Sequence, residues 1–241
     1  MSDPLNSSGE GADMPRVKVC GLTRTADARA AARMGADYLG AIHVPGTPRS
    51  VAPSTARRVA REGGLPLVLV VAGLPIRALV DVASVALPQV LQLHGDEPLE
   101  TVRGLREEGE WRLWVSVRFR DRDRLRKRVE AVSPWIDGIL LDRWEPDKLG
   151  GTGRPFPWDE ASGVREWLPN GVELVVAGGL DPGNVGEAVR RFRPDVLDVS
   201  SSVETAPGRK DPGRIQAFVQ AVRRTAEASS PPTRPGVEAT E

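Results

Sequence analysis

Residues 67–94 have the sequence LVLVVAGLPIRALVDVASVALPQVLQLH. An uninterrupted apolar run occupies 67–71, a segment whose apolar residues have helical spacing occupies 76–86, and a second strand-like run occupies 90–94. Strands that lack polar alternation are typical of a parallel sheet whose faces are both covered. The stretch therefore predicts one strand–helix–strand unit in which the two strands run parallel.

The same unit occurs along the whole body of the chain. Strands are predicted at 16–20, 37–42, 67–71, 90–94, 113–117, 137–141, 173–177 and 195–199. Helices are predicted at 25–35, 53–63, 76–86, 98–108, 122–132, 159–168, 182–192 and 212–226. Eight alternating strands and helices in about 210 residues fit a single α/β domain, a (β/α)₈ TIM barrel over 16–226. An open doubly wound sheet is the alternative, but no G-x-G-x-x-G follows the first strand.

The composition limits the classes of protein to which the chain could belong. Its 241 residues include 33 Lys and Arg and 33 Asp and Glu, and this balance argues against a protein that coats nucleic acid or a membrane surface. The lone cysteine, Cys20, excludes a disulfide framework and a zinc module of several thiolates. Residues 1–15 and 227–241 are polar and are predicted to be disordered tails. We expect a cytoplasmic protein without a membrane span, for which Met14 is an alternative start.

Candidate catalytic groups stand where two of the strands end. In a TIM barrel the active site lies at the C-terminal ends of the strands and in the loops that follow them. Cys20 ends the first strand and Asp142 follows the sixth, so a thiol and a carboxyl group would face each other across the barrel mouth. A free cysteine is more often a small buried hydrophobe, and an aspartate in such a place is as often a surface or helix-capping group. Together the two groups suit a reaction in which one proton is removed and another is delivered.

A candidate phosphate site lies at the same end of the predicted barrel. Gly178 and Gly179 follow the seventh strand, and Ser200-Ser201-Ser202 follow the eighth. Backbone N–H groups of these two loops, with a nearby helix start, are the usual phosphate site of this barrel. The glycine-rich loop at 149–154 is a third segment, which we expect to fold over the ligand. One glycine pair alone is also found in ordinary turns, so the prediction depends on all three segments.

The order of these motifs resembles the phosphoribosylanthranilate isomerase family, from about residue 16 to residue 224. The matching blocks are VKVCGLT (17–23), GAD (35–37), PRSV (48–51), LQLHGDE (91–97), LLD (140–142), GGTG (150–153) with Phe156 and Trp158, AGGL (177–180) with Asn184 and Val185, DVSS (198–201), and Val203, Glu204, Pro207, Gly208, Lys210 and Asp211. So many blocks in one order are highly specific for a family.

The resemblance implies an activity and a role for each of the candidate residues. The family carries out an Amadori rearrangement of N-(5′-phosphoribosyl)anthranilate in tryptophan biosynthesis, without cofactor or metal. Its general base corresponds to Cys20, its general acid to Asp142, and the arginine that holds the anthranilate carboxylate to Arg49. The phosphate loops correspond to Gly178, Gly179 and the Ser200, Ser201 and Ser202 segment, and His94 and Asp198 match supporting positions in the substrate pocket. The implied partner is a small phosphorylated molecule, and such barrels occur as monomers or homodimers.

Three departures from the family pattern bear on the substrate. Ser202 stands where the family has glycine, and if that position requires a positive φ, serine would strain the phosphate loop. The second strand ends in Ala41-Ile42-His43-Val44 instead of an aromatic residue, and Val70-Val71-Ala72-Gly73 replaces a Val-Phe-Val-Asn segment. The last two changes are expected near the anthranilate pocket, so the aromatic part of the substrate could differ.

Three other functions remain as alternatives. The first is an Amadori-type isomerase with a different aminoaryl or ribotide substrate in a specialised pathway; bifunctional relatives of that kind carry aspartate where Cys20 stands. The second is a phosphate-binding barrel without activity. The third is a nucleic-acid module, suggested by the basic run at 118–128, but Asp121 and Asp123 interrupt that run and its spacing fits a solvated helix face. His43 is more easily explained as a packing or pocket-wall residue than as a metal ligand.

Overall fold

The computed structural model describes residues 14–119, 121–143, 158–159 and 161–229. Eight parallel strands pair in chain order and the eighth pairs with the first, so the sheet is a closed barrel. The strands are β1 (Arg16–Val19), β2 (Tyr38–His43), β3 (Leu67–Val71), β4 (Val90–Leu93), β5 (Arg112–Phe119), β6 (Gly138–Arg143), β7 (Glu173–Val176) and β8 (Val196–Val199). The predicted TIM barrel is confirmed, and the ends of the predicted strands differ from the observed ends by one or two residues at most.

Seven α-helices occur among the described residues, and they cover the outside of the barrel. They are α1 (Thr25–Arg33), α2 (Pro53–Gly63), α3 (Ile76–Ala86), α4 (Leu99–Glu108), α5 (Arg122–Val132), α6 (Val185–Phe192) and α7 (Pro212–Ser229). Their apolar faces and the outward side chains of the strands form one large buried core. None of these helices is long and apolar enough to cross a membrane.

Two predicted helices are wrong in type or extent. The segment predicted as a helix at 159–168 contains turns and a single 3₁₀ turn at Val164–Trp167, because Gly163 before it adopts a left-handed φ of 82° that interrupts helical geometry. The next helix, α6, begins at Val185 and not at Pro182. The Asp181 side chain accepts hydrogen bonds from the N–H groups of Gly183 (2.7 Å) and Asn184 (3.1 Å), which holds these residues in a turn ahead of the helix.

The predicted tails lie largely outside the described residues. This applies to 1–13 and 230–241, and the predicted covering loop at 149–154 lies outside them as well. At the C-terminal side, α7 continues through Ser229, three residues beyond the predicted helix end at 226. The boundaries assigned to the disordered tails therefore stay predictions, apart from this extension of the last helix.

A short antiparallel hairpin follows β8 and was not predicted. Its strands are β9 (Glu204–Ala206) and β10 (Arg209–Lys210), with Gly208 at a φ of 76° in the turn between them. Thr23, in the loop after β1, donates a hydrogen bond from its hydroxyl to the Gly208 carbonyl at 2.7 Å. The hairpin is thereby attached to the loop that follows Cys20.

The side chains inside the barrel change from apolar to polar along the strands. A buried cluster separate from the outer core contains Tyr38, Val68, Val90, Trp114, Leu140, Val175, Ala177 and Val196. Successive inward side chains are two residues apart. The next inward positions are therefore Gln92 after Val90 and Ser116 after Trp114. In the same way, Asp142 follows Leu140 and Asp198 follows Val196. The strand period thus places a polar layer directly above an apolar plug, at the C-terminal end of the barrel.

Candidate functional site

A cavity that is open to solvent lies at the C-terminal ends of the strands. Its lining residues are Cys20, Ile42, Val44, Thr47, Arg49, Val70, Gln92, His94, Asp142, Ala177, Gly178, Gly179, Leu180, Asp198, Ser200, Ser201 and Ser202. Every site residue predicted from the sequence is in this set, so the structure brings all of them together in one cavity. Gln92, Thr47 and Leu180 line it as well and were not predicted.

Cys20 follows β1 directly and its position is fixed by neighbouring strands. Its N–H donates to the Val199 carbonyl at 2.8 Å, and the Ser200 hydroxyl donates to the Cys20 carbonyl at 3.2 Å. Burial raises the pKa of the Cys20 thiol; the Asp198 carboxylate also raises it, while the ammonium groups of Lys18 and Lys210 lower it, and the net direction is upward. Cations are therefore present beside the thiol, but burial outweighs their effect on its pKa.

Gly40 on β2 provides the space that the Cys20 and Lys18 side chains occupy. A Cβ atom at Gly40 would lie 2.8 Å from both Cα and Sγ of Cys20 and 3.0 Å from Cε of Lys18. Real Cβ atoms essentially never approach other atoms to 2.8 Å, so any larger residue would force the backbone or the thiol of Cys20 to move. Lys18 Cε would also have to shift by a few tenths of an ångström. The same distances place the two side chains side by side within the barrel.

Lys18, which is not among the predicted site residues, lies at the centre of the polar layer. Its side chain is fully buried, and its Nζ donates to Asp198 Oδ2 at 2.9 Å and to Gln92 Oε1 at 2.7 Å. Burial by itself would lower the pKa of Lys18, but Asp198 and Cys20 outweigh burial and raise it, so the ammonium form is favoured. A signal for this role existed in the sequence, because Lys18 precedes Cys20 by two residues and shares its inward direction.

Asp198 keeps one oxygen available for a ligand. Oδ2 is bonded to Lys18, whereas the buried Oδ1 has no hydrogen-bond partner among the described residues. A buried carboxylate oxygen without a partner is costly, so a donor from a bound molecule would be stabilising at this position. Oδ1 is thus the atom through which Asp198 can contact a ligand, as its predicted supporting role in the pocket requires.

His94 connects the polar layer to Asp142. Lys18 donates to Gln92 Oε1, which orients the amide so that Gln92 Nε2 donates to His94 Nδ1 at 3.3 Å; Ser116 Oγ lies 2.8 Å from the same nitrogen. Because Nδ1 then acts as an acceptor, the ring proton belongs on Nε2 by inference from the hydrogen-bond pattern. Nε2 lies 3.4 Å from Asp142 Oδ2, so His94 presents an N–H to the carboxyl group.

Arg49 enters the cavity from the loop after β2 and is held by Glu204. Arg49 Nε lies 3.0 and 3.1 Å from the two carboxylate oxygens of Glu204, and Nη2 lies 2.6 Å from Oε2. Hydrogen bonding to Glu204 raises the pKa of Arg49, so the guanidinium keeps its charge. Nη1 makes no hydrogen bond within the described part of the chain, and this edge is available to an anion in the cavity.

The two predicted phosphate loops lie together and present backbone donors. Gly178 and Gly179 both have left-handed φ values, 87° and 82°. Their N–H groups and that of Ser200 donate to no acceptor within the described residues. Asn184 stabilises the first loop by donating from Nδ2 to the Gly179 carbonyl at 2.9 Å. Free N–H groups on left-handed glycine backbone form concave sites that suit anions.

The expected strain at Ser202 is absent. Ser202 lies in a 3₁₀ turn (Ser201–Val203), and the only non-glycine residues with positive φ among those described are Leu87 and Arg193. The Ser202 hydroxyl donates to the Leu180 carbonyl at 2.6 Å. The serine therefore links the loop after β8 to the loop after β7, and the hypothesis that it weakens the phosphate loop by strain is wrong.

One wall of the cavity is apolar and includes some of the residues that depart from the family pattern. Ile42, Val44 and Val70 line it. His43 is outside the lining set; its Nδ1 lies 2.9 Å from the Val51 carbonyl, which fits the predicted packing role. The cavity thus combines an aliphatic wall beside Arg49 with backbone donors, and a thiol and a carboxyl group lie in the same space. Such a cavity offers an arginine and unpaired backbone donors to the anionic groups of a ligand, together with two groups that can transfer protons.

Comparison with known proteins identifies the family of the chain. Residues 17–221 match the family model described as N-(5′phosphoribosyl)anthranilate (PRA) isomerase. The chain is 40% identical over 224 residues to the N-(5′-phosphoribosyl)anthranilate isomerase of Moorella thermoacetica, which covers 91% of this chain and 95% of the relative.

Two solved structures are similar over most of the barrel. One is a crystal structure of monomers generated from the dimeric phosphoribosylanthranilate isomerase of Thermotoga maritima, with a TM-score of 0.76 and 33% identity, covering 88% of this chain and 100% of that one. The other is a phosphoribosylanthranilate isomerase in complex with reduced 1-(o-carboxyphenylamino)-1-deoxyribulose 5-phosphate, with a TM-score of 0.75 and 32% identity at the same coverage.

Proposed function

The chain belongs to the N-(5′-phosphoribosyl)anthranilate isomerase family, and we propose that it converts N-(5′-phosphoribosyl)anthranilate to 1-(2-carboxyphenylamino)-1-deoxyribulose 5-phosphate in tryptophan biosynthesis. The observation that carries this proposal is that Cys20 and Asp142 line one cavity whose other walls hold Arg49 and the Gly178–Gly179 and Ser200 backbone donors. An acid, a base and two kinds of anion donor in one cavity match a substrate that carries a carboxylate and a phosphate.

The first chemical step is opening of the ribose ring. Asp142, in its protonated form, donates a proton to the ring oxygen while the bond between that oxygen and C1′ breaks. The lone pair of the anthranilate nitrogen forms a double bond to C1′, which leaves a protonated Schiff base and an ionised Asp142. His94 Nε2 lies 3.4 Å from Asp142 Oδ2, so we assign the neutral His94 ring the role of orienting that carboxylate through its N–H.

The second step is proton removal at C2′. Cys20, as the thiolate, takes the C2′ proton, the electrons of the C–H bond form a C1′–C2′ double bond, and the iminium nitrogen is neutralised. The resulting enolamine becomes the aminoketose when C1′ gains a proton and the C2′ hydroxyl loses one. The chemistry is proton transfer throughout, and no step calls for a metal or a cofactor.

Lys18 supports the thiolate form of Cys20. Because burial raises the pKa of the thiol, the base needs a nearby positive charge, and the buried Lys18 ammonium group provides it. The carboxylate of Asp198 keeps Lys18 charged through the 2.9 Å contact. Its second oxygen, Oδ1, can accept a hydrogen bond from a ribose hydroxyl. These contacts support a role for Lys18 and Asp198 beside the general base, Cys20.

The two ends of the substrate are held by different kinds of donor. The free Nη1 edge of Arg49 suits the planar anthranilate carboxylate, and Ile42, Val44 and Val70 offer an aliphatic surface to the ring. Backbone N–H groups of Gly178, Gly179 and Ser200 suit the phosphate. The oligomeric state, monomer or homodimer, and the cytoplasmic location remain predictions.

Two alternatives are separated from this proposal by one assay. Phosphoribosylanthranilate is generated in situ and its consumption is followed by loss of anthranilate-type fluorescence. We expect turnover by the wild-type protein, with formation of the aminoketose phosphate. No turnover together with retained binding of phosphorylated compounds would favour an isomerase for another ribotide, or a binding barrel without activity. The aliphatic wall in place of the aromatic residue usual in the family is the observation that favours a changed substrate.

A further inference from the structure

Glu204 lies behind Arg49 on the side away from the cavity. It accepts hydrogen bonds from Nε and Nη2 of Arg49, the shortest at 2.6 Å, and it is not part of the cavity lining. Its side chain is 4% exposed, against 17% for that of Arg49. The carboxylate is therefore buried where it can touch the guanidinium but is not itself placed to touch a ligand in the cavity.

Glu204 is itself fixed by two further donors. Lys210 Nζ lies 2.8 Å from Glu204 Oε1, and the Gly208 N–H donates to the same oxygen at 3.1 Å. Burial would raise the pKa of Glu204, but its bonds to Arg49 and Lys210 outweigh burial and lower it, so the ionised form persists. Of the three residues that donate to Glu204, Gly208 and Lys210 belong to the β9–β10 hairpin and the third is Arg49. The hairpin therefore holds the carboxylate that binds the guanidinium.

Lys210 extends this arrangement to the phosphate loop. Its fully buried ammonium group donates to the Ser200 carbonyl at 3.1 Å as well as to Glu204. Arg49, Glu204 and Lys210 carry a combined formal charge of +1 when Lys210 is protonated. Burial lowers the pKa of Lys210, and its bond to Glu204 opposes that effect. Positioning by Glu204 therefore does not cancel the positive charge that would attract an anion.

Gly21 restricts Arg49 from a third direction. A Cβ atom at Gly21, whose φ is 76°, would lie 2.7 Å from Arg49 Cδ and 3.1 Å from the Ser200 hydroxyl. The aliphatic part of Arg49 thus packs on bare backbone while its head is bound by Glu204. An arginine held in this way has lost its rotamer freedom before a ligand arrives, which lowers the entropic cost of binding.

We propose that Glu204 is a positioning residue that directs the free edge of Arg49 at the substrate carboxylate. The inference rests on the proposed function, because it takes the carboxylate end of the substrate to lie at Arg49. It makes Glu204 a determinant of selectivity for carboxylated ligands, acting through Arg49. The opposite relation, in which Glu204 competes with the substrate for the guanidinium, predicts tighter binding when the Glu204 charge is removed.

The test measures equilibrium binding of two probes to wild-type protein and to Glu204→Gln. The first probe is reduced 1-(o-carboxyphenylamino)-1-deoxyribulose 5-phosphate, and the second is the same compound without the carboxyl group. We expect the wild type to prefer the first probe by about tenfold or more, as fits a charge-assisted hydrogen bond. In Glu204→Gln the preference should fall to about threefold or less, with inorganic phosphate bound as in the wild type. Glu62→Gln, which removes an exposed glutamate paired with Arg29 at 2.8 Å, is the control and should keep the preference.

A double-mutant cycle distinguishes positioning from general destabilisation. If Glu204 acts through Arg49, the Glu204→Gln change should have no further effect on carboxylate preference in an Arg49→Gln background. Equal loss of affinity for both probes and for inorganic phosphate would overturn the inference, and so would an unchanged or increased preference in Glu204→Gln. A wild type that binds both probes equally would contradict the proposed function at its carboxylate end, which is a separate outcome.

Discussion

The Lys18 ammonium group lies 2.9 Å from the Asp198 carboxylate and next to the Cys20 thiol, in the interior of the barrel. One buried cation thus faces two groups, the Asp198 carboxylate and a thiol that must become an anion during catalysis. Burial raises the pKa of Asp198, and Lys18 opposes that effect. A buried lysine without a partner would lose its proton, so Asp198 maintains the charge on which the thiolate depends. This arrangement links the second proton transfer to residues that do not themselves take the proton.

Replacing Lys18 should move the pH dependence of the reaction. The thiol pKa is already raised by burial, so kcat/KM should increase with pH from neutrality upward as the thiolate forms. Lys18→Met removes a cation that lowers this pKa, so the increase in kcat/KM should occur at higher pH. For each pH unit by which the profile moves, kcat/KM at pH 7.5 should fall about tenfold. The measurement is a pH profile of kcat/KM, and Lys127→Met, on the exposed face of α5, is the control. A Lys18→Met profile that coincides with the wild type would contradict the role of Lys18.

Enlarging Gly40 should impair catalysis more than stability. The new Cβ atom of Gly40→Ala would meet Cys20 Sγ at 2.8 Å and would force the thiol or Lys18 to move. Overpacking of this kind costs about 1–3 kcal/mol in the free energy of unfolding, whereas displacing the base should lower kcat by about 10²-fold. Steady-state kinetics and thermal unfolding test the two effects.

Gly186→Ala in α6 is the matched control for this substitution. Its Cβ atom would have Thr225 as its nearest neighbour at 3.4 Å, which is ordinary contact. Because alanine is favoured over glycine in helices, Gly186→Ala should be neutral or stabilising by about 0.5–1 kcal/mol with kcat unchanged. A Gly40→Ala enzyme with wild-type kcat would show that the space at Gly40 does not position the thiol.

Removing the Ser202 hydroxyl should weaken the phosphate site. Ser202→Ala breaks the 2.6 Å hydrogen bond to the Leu180 carbonyl, which connects the two loops. Loss of one such bond is worth about 0.5–1.5 kcal/mol, so binding of inorganic phosphate should weaken by about threefold to tenfold. Calorimetric titration with phosphate measures this affinity. The control is Ser84→Ala, because the exposed Ser84 side chain donates a similar hydrogen bond to the Asp81 carbonyl within α3. Tighter phosphate binding by Ser202→Ala or Ser202→Gly would support the strain hypothesis that the φ values reject.

The barrel and the position of its site could be predicted because both depend on local sequence features. Runs such as LVLVV at 67–71 are buried on both faces, which indicates a covered parallel sheet, and the alternation with helices leaves few topologies. Cys20, Asp142 and the glycine pair at 178–179 were found by their place at strand ends. These residues could be identified without knowing which side chains lie near them in the folded protein.

The missed features depend on contacts between distant segments. Lys18 and Gln92 are polar residues within strands, and only their 2.7 Å contact across the barrel explains why both are buried. The strands at 204–206 and 209–210 are too short to show a period, and their stability comes from Thr23 and Lys210 contacts. The helix predicted at 159–168 was wrong because the backbone conformation of one residue, Gly163, outweighs the helical spacing of its neighbours.

If Cys20 and Asp142 transfer the two protons, the loss of either group should appear in kcat for phosphoribosylanthranilate, measured in Cys20→Ala and Asp142→Asn. Binding of the reduced product analogue is measured in parallel, because a base or acid that only moves protons can be removed without losing the ligand. We predict that each substitution lowers kcat by at least about 10²-fold while the Kd of the analogue stays within about threefold of wild type. Wild-type kcat in either variant would contradict the assignment.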